Sequence, residues 1–147
     1  MLEQRRRRWR RLLREIEGWA RWLAEKLAAQ GIRVEEILLF GSVARGDYKV
    51  DSDVDLILVS EDWSRIPYLD RLSLLYRLWD KPRDATLIPL TRGELERRVR
   101  RSVALRDAAR YWVRVYPAGL GEGGDGGEPT SEKRRGPGRA VGYKDVV

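Results

Sequence analysis

The 147-residue sequence contains no cysteine and no histidine. A disulfide, a thiolate zinc site, an imidazole-ligated metal and a Ser-His-Asp triad are therefore all excluded. Any catalysis has to use carboxylates, hydroxyls, Lys or Arg, and a hard metal ion. Metal-assisted phosphoryl chemistry fits those limits, because it depends chiefly on positioning and charge neutralisation. No run of about 18 apolar residues occurs, so no membrane-spanning helix is expected. The basic N-terminus is not followed by the uninterrupted apolar segment or small-residue cleavage site of a secretory signal. These absences together predict a cytoplasmic protein with no membrane partner.

What is abundant is charge, with 36% charged residues and a formal net charge of +7. Such a surface attracts nucleic acid, nucleotide or an acidic protein. Much of the positive charge lies in Arg5, Arg6, Arg7, Arg8, Arg10, Arg11 and Arg14, around Trp9. The same segment carries an apolar stripe of Trp9, Leu12, Leu13, Ile16, Ala20, Leu23 and Leu27, which predicts a helix from Leu2 to Gln30. Gly31 stands where a C-terminal capping glycine is expected. The arginines read as the solvated face of this helix. A nucleic-acid patch is possible but not favoured, since several stacking aromatics do not interleave them.

The chemistry concentrates between Leu38 and Val59. Two apolar runs, Val34–Phe40 and Val54–Val59, have strand length and flank a polar connector. Alternate residues of a strand share a face, so Asp53 and Asp55 project together, about 6–7 Å apart. Carboxylates that close repel unless a cation sits between them, and Mg²⁺ is the usual cation. Gly41 after the first strand permits a sharp turn and a close ligand approach. Ser42 is expected to cap a short helix over Val43–Arg45, whose free N–H groups form an anion site. An anion site beside a divalent-metal site points to a nucleoside triphosphate. Arg45 reads either as a cation near the phosphates or as an ion pair with Asp47 or Asp51. Ser52 is expected to orient the carboxylates through a local hydrogen bond, and Lys49 is a weaker candidate for a triphosphate contact.

These same residues carry a family resemblance. Gly41-Ser42, then Ala44-Arg45-Gly46, then Ser52-Asp53-Val54-Asp55-Leu56 resembles the signature of the DNA polymerase β-type nucleotidyltransferase superfamily. The compact form, beginning at Phe40, most resembles the minimal nucleotidyltransferases, which are often encoded with a helical HEPN partner. The resemblance implies an α/β (α+β) fold in which a small mixed β-sheet is flanked by helices, here with a long N-terminal helix. It also implies ATP as substrate, one or two Mg²⁺ ions on Asp53 and Asp55, and AMP transfer to a hydroxyl on a protein partner. Such a chain would be the antitoxin of a HEPN toxin. Members that use two metals place a third acidic residue on a neighbouring strand, commonly just before a stretch like Leu87–Thr91. Here Thr86 holds that position and Asp84 precedes it by two. Asp84 is either a displaced third metal ligand and catalytic group or a strand-start aspartate in a turn. The Thr86 departure motivates an alternative: a weak or inactive binding module that neutralises its partner by complex formation.

The remainder completes one domain over residues 1–117. Glu61–Arg65 reads as a loop. Pro67 opens a helix running to Trp79, with Leu69, Leu72, Leu75, Leu78 and Trp79 buried. Asp84–Leu90 is a strand, and Pro89 assigns it to a strand end or sheet edge. Thr91 and Glu94 form a capping box for a helix reaching Arg110, broken near Ser102. Tyr111–Tyr116 is a last short strand. From Ala118 the composition turns Gly-rich, and residues 118–147 read as a disordered tail.

Overall fold

The computed structural model describes residues 2–118. The expected Gly-rich tail lies beyond them, outside the described residues. Helix α1 spans Leu2–Ala29 and buries Leu12, Leu13, Ile16, Ala20, Leu23 and Leu27 along the predicted stripe. It ends on Gly31, whose φ of 87° suits glycine, and the Ile32 N–H closes the cap on the Leu27 carbonyl at 2.9 Å.

Strand β1 (Glu36–Phe40) leads through helix α2 (Gly41–Arg45) to strand β2 (Val54–Val59). A 3₁₀ turn at Glu61–Arg65 replaces the expected loop. Its cause is Ser60, a buried N-cap whose Oγ accepts the Asp62 N–H and donates to the Arg33 carbonyl. Helix α3 (Tyr68–Leu78), strand β3 (Ala85–Leu90), helices α4 (Arg92–Arg101) and α5 (Val103–Ala108), and strand β4 (Val113–Tyr116) follow. The capping box at Thr91 and Glu94 is present, and Ser102 ends α4 and caps α5.

The four strands form a mixed sheet in the order β3-β2-β1-β4. β1 runs antiparallel to both neighbours, while β2 and β3 are parallel and joined through α3. β3 is an edge, as Pro89 requires, and Tyr76 seals its outer side: the Tyr76 hydroxyl accepts the Leu87 N–H.

Both faces of the sheet are covered, so the central strands are apolar almost throughout. On one face, Ile37, Leu39, Leu56, Leu58 and Leu87 pack against α1 and against Leu75 of α3. On the other, Leu38, Ile57, Val59 and Leu90 meet Leu95 and Val99 of α4, with Trp112. The expected stripe of α3 is buried only at Leu75, with Leu72, Leu78 and Trp79 half-buried. Leu69 is 74% exposed, whereas Arg71 is buried. The guanidinium of Arg71 goes inward because it finds four acceptors there: the carbonyls of Ile66 and Pro89 and both carboxylate oxygens of Glu94.

Candidate active site

Asp55 lies one strand across from Phe40, its partner in the antiparallel register. Asp53 and Asp55 have the same parity along the chain as Ile57 and Val59, so they belong to the sheet face covered by α4. Past Phe40 the chain turns sharply at Gly41, with φ of 78°. Gly41 and Asp55 therefore press together. A Cβ at residue 41 would collide with Asp55 Oδ2 and stand 3.1 Å from its Cγ. Absence of a side chain at 41 is what admits the carboxylate to the start of α2.

Burial pushes the Asp55 carboxyl above its usual range. A hydrogen bond from Thr86 and the charge of Arg45 act the other way, and the charge of Asp53 adds to the rise. Thr86 is the register partner of Asp55 on β3. It thus stands where a third carboxylate would serve the pair, and gives a hydroxyl donor instead. Asp84 is elsewhere: its carbonyl accepts the Val54 N–H at 2.9 Å, which sets it level with Asp53. Among the described residues no three acidic side chains converge closely enough to hold a metal ion.

The donor set still suits Mg²⁺. Its oxygens are hard, and a half-buried carboxylate beside a second negative charge is stabilised by a cation. Mg²⁺ is ordinarily held by one or two carboxylates together with substrate phosphates and water. Asp53 and Asp55 fit that pattern.

The neighbouring turn differs from expectation. Helix α2 begins at Gly41 and its N-cap is Phe40, with no side-chain cap hydrogen bond. Ser42 lies inside the first turn, not before it. Arg45 pairs with Asp47 at 3.3 Å, both exposed. The Ser52 hydroxyl accepts the Lys49 N–H at 2.8 Å, so it closes the connector and does not orient the carboxylates.

Two residues that shape the site gave no sign of it in the sequence pattern. Trp9 Nε1 donates to the Val43 carbonyl at 2.7 Å, and its ring lies under Gly46, tying α1 to α2. Arg83 donates to the carbonyls of Val50 and Ser52, fastening the connector to the start of β3. A hydrogen bond to a distant carbonyl leaves no trace in periodicity. Trp9 was legible only as part of an apolar stripe.

A "Putative protein adenylyltransferase" of Methanocaldococcus jannaschii is 52% identical over 29 residues, covering 20% of this chain and 29% of that protein. The match thus spans less than a third of that relative's length. A solved structure of a "putative nucleotidyltransferase" from Sulfolobus solfataricus is 27% identical, covering 60% of this chain and 79% of that one, with a TM-score of 0.48. The family model described as "Nucleotidyltransferase domain" matches residues 20–111, well over half of the 147. The chain therefore belongs to the nucleotidyltransferase-domain family.

Proposed function

We propose that this chain transfers a nucleoside monophosphate, AMP from ATP, to a hydroxyl on a protein partner, with Mg²⁺ on Asp53 and Asp55. The observation that carries the reading is the contact between Gly41 and Asp55, which joins the phosphate turn and the paired carboxylates in one place. When bound, Mg²⁺ supplies neutralisation of the charge on the phosphates and on the departing pyrophosphate. Gly41 and Ser42 present unobstructed backbone to the β- and γ-phosphates, and Arg45 adds positive charge nearby. The acceptor oxygen attacks the α-phosphorus, the bond to the bridging oxygen breaks, and pyrophosphate leaves. The hydroxyl proton passes to a carboxylate, for which Asp84, level with Asp53 just before β3, is the candidate.

The protein acceptor is supported by the name of the M. jannaschii relative. In the same reading the partner is a helical HEPN protein, this chain acts as its antitoxin, and both are cytoplasmic. No helix among the described residues is long and apolar enough to cross a membrane.

The test is label transfer from α-³²P-ATP and Mg²⁺ to the co-purified partner. Label is expected on the partner with the wild type and at least about 100-fold less with Asp53→Asn/Asp55→Asn, at unchanged fold. Full transfer by that double variant would sink the assignment. The hydroxyl of Thr86 at the third-carboxylate position favours a second reading, neutralisation by binding alone. No label on the partner, with the complex still inhibitory, is the outcome that selects it.

A further inference from the structure

A cavity of about 830 Å³ opens on the sheet face that bears Asp53 and Asp55, between the start of α3 and helices α4 and α5. Phe40, the register partner of Asp55, lines one side, and Leu90 and Leu105 contribute the apolar floor. Its rim carries Arg97, Arg98 and Arg101. Glu94 is the one acidic lining residue, and it is engaged by Arg71 through two hydrogen bonds, at 2.7 and 3.1 Å. The charge of Arg97 acts on Glu94, but no described carboxylate forms a close ion pair with any of the three rim arginines. Beside the cavity, Leu69 and Val103 are 74% and 73% exposed, each directly following a lining residue.

From this arrangement we infer that the cavity is a docking groove for an acidic, amphipathic segment of the acceptor protein. The inference deepens the reading of a protein acceptor and rests on it. Three features select this occupant. The floor is apolar and the rim is charged, which is the anatomy of a protein interface, with arginine and tyrosine prominent as they are at binding hot spots. A phosphate held in the cavity would need buried donors, yet Arg71, the one buried arginine among the described residues, has its donors committed to Glu94, Ile66 and Pro89. A nucleic acid would need a free aromatic face. The Tyr68 ring is instead engaged by the guanidinium groups of Arg71 and Arg98, at 5.5 and 5.4 Å from its centroid. An acidic segment seated there would set apolar side chains on the floor and carboxylates against Arg97, Arg98 and Arg101. Because Phe40 joins groove and carboxylates, a hydroxyl at the end of that segment would be delivered toward Asp55.

The experiment uses the full chain and a fluorescein-labelled helical peptide with glutamates on one face and leucines on the other, read by anisotropy. The wild type is expected to bind it, and Arg97→Gln/Arg98→Gln/Arg101→Gln to bind about tenfold more weakly, as three rim ion pairs of modest strength predict. Equal changes on α1, Arg5→Gln/Arg7→Gln/Arg8→Gln, are expected to shift affinity less than about twofold. A charge swap guards against a folding artefact: Arg97→Glu/Arg101→Glu is expected to prefer the peptide with lysines in place of glutamates. Magnesium-dependent ATP binding separates this inference from the activity. The α4 triple variant should keep it, whereas Asp53→Asn/Asp55→Asn should lose it and still bind the peptide. Absence of peptide binding by the wild type, equal losses from the α1 and α4 variants, or loss of ATP binding in the α4 variant would each overturn the proposal. So would tighter binding of a single-stranded RNA of equal charge.

Discussion

Gly41 and Asp55 form the tightest constraint at the scale of single residues. Placing a methyl group at 41 forces the Asp55 carboxylate to swing away, since the new Cβ would overlap its oxygen. The backbone there also has φ of 78°, a conformation costing an L-residue about 1–2 kcal/mol. Gly41→Ala is therefore expected to lower stability by about that amount in urea denaturation. Magnesium-dependent nucleotide binding, measured by calorimetry, should fall further than the stability loss explains, because the displaced carboxylate is a proposed ligand. Retained binding at wild-type affinity would show that Asp55 does not need its present position. That Gly41 and Asp55 belong together was legible in the sequence, because glycine after a strand and paired aspartates before another have few other uses. The exact cap was not legible: Ser42 looks like an N-cap by type, yet α2 begins at Gly41 and Phe40 precedes it with no side-chain cap. Arg71 was hidden for a related reason. A charged residue inside a leucine-rich helix reads as solvated until Glu94 and the Pro89 carbonyl come to meet it from later in the chain, beside the nearby Ile66 carbonyl.

At the scale of elements, α2 is too short to hold itself in place. A helix of five residues is far below the length at which helices persist alone, so its position comes from its neighbours. Trp9 of α1 supplies one such hold through the 2.7 Å hydrogen bond to the Val43 carbonyl and the contact under Gly46. Trp9→Phe keeps most of the ring and removes the donor. It is expected to cost about 0.5–1.5 kcal/mol in urea denaturation and to weaken magnesium-nucleotide binding several-fold, since α2 carries the phosphate turn. Trp22→Phe provides the contrast. Trp22 packs edge-on against Trp79 and under the Lys81 ammonium, away from α2, so its loss should register in stability alone. If both variants weaken nucleotide binding equally, Trp9 has no special hold on the site. Element order, the break at Ser102 and the edge position of β3 were readable, because caps, Pro89 and hydrophobic period are all local signals. Trp9 as a brace was not, since its partner lies 34 residues away.

For the whole molecule, the Arg71–Glu94 pair is the link that crosses from one layer to the next. Arg71 sits on α3, Glu94 on α4, and the same guanidinium reaches the Pro89 carbonyl on β3 between them. The two hydrogen bonds from Arg71 hold the Glu94 carboxyl below its usual value of 4.5, with the Thr91 N–H assisting. A carboxylate whose pKa falls on folding contributes stability above its unfolded value and loses it as pH drops through its folded value. The contribution of this pair should thus be complete at neutral pH and fade below about pH 4.5. Glu94→Gln keeps the shape but leaves the buried Arg71, with a side chain only 7% exposed, short of a countercharge. Glu94 is itself partly exposed, so the expected loss at pH 7 is about 1–3 kcal/mol, less than for a fully buried pair. The sign is checked by urea denaturation across the acid range: the gap between wild type and variant should narrow as pH falls from 5 toward 3. A constant gap would mean that Glu94 acts through its hydrogen-bond geometry alone. Because Arg71 and Glu94 also line the cavity beside the paired carboxylates, acid that loosens the α3–α4 link should weaken peptide docking and global stability together.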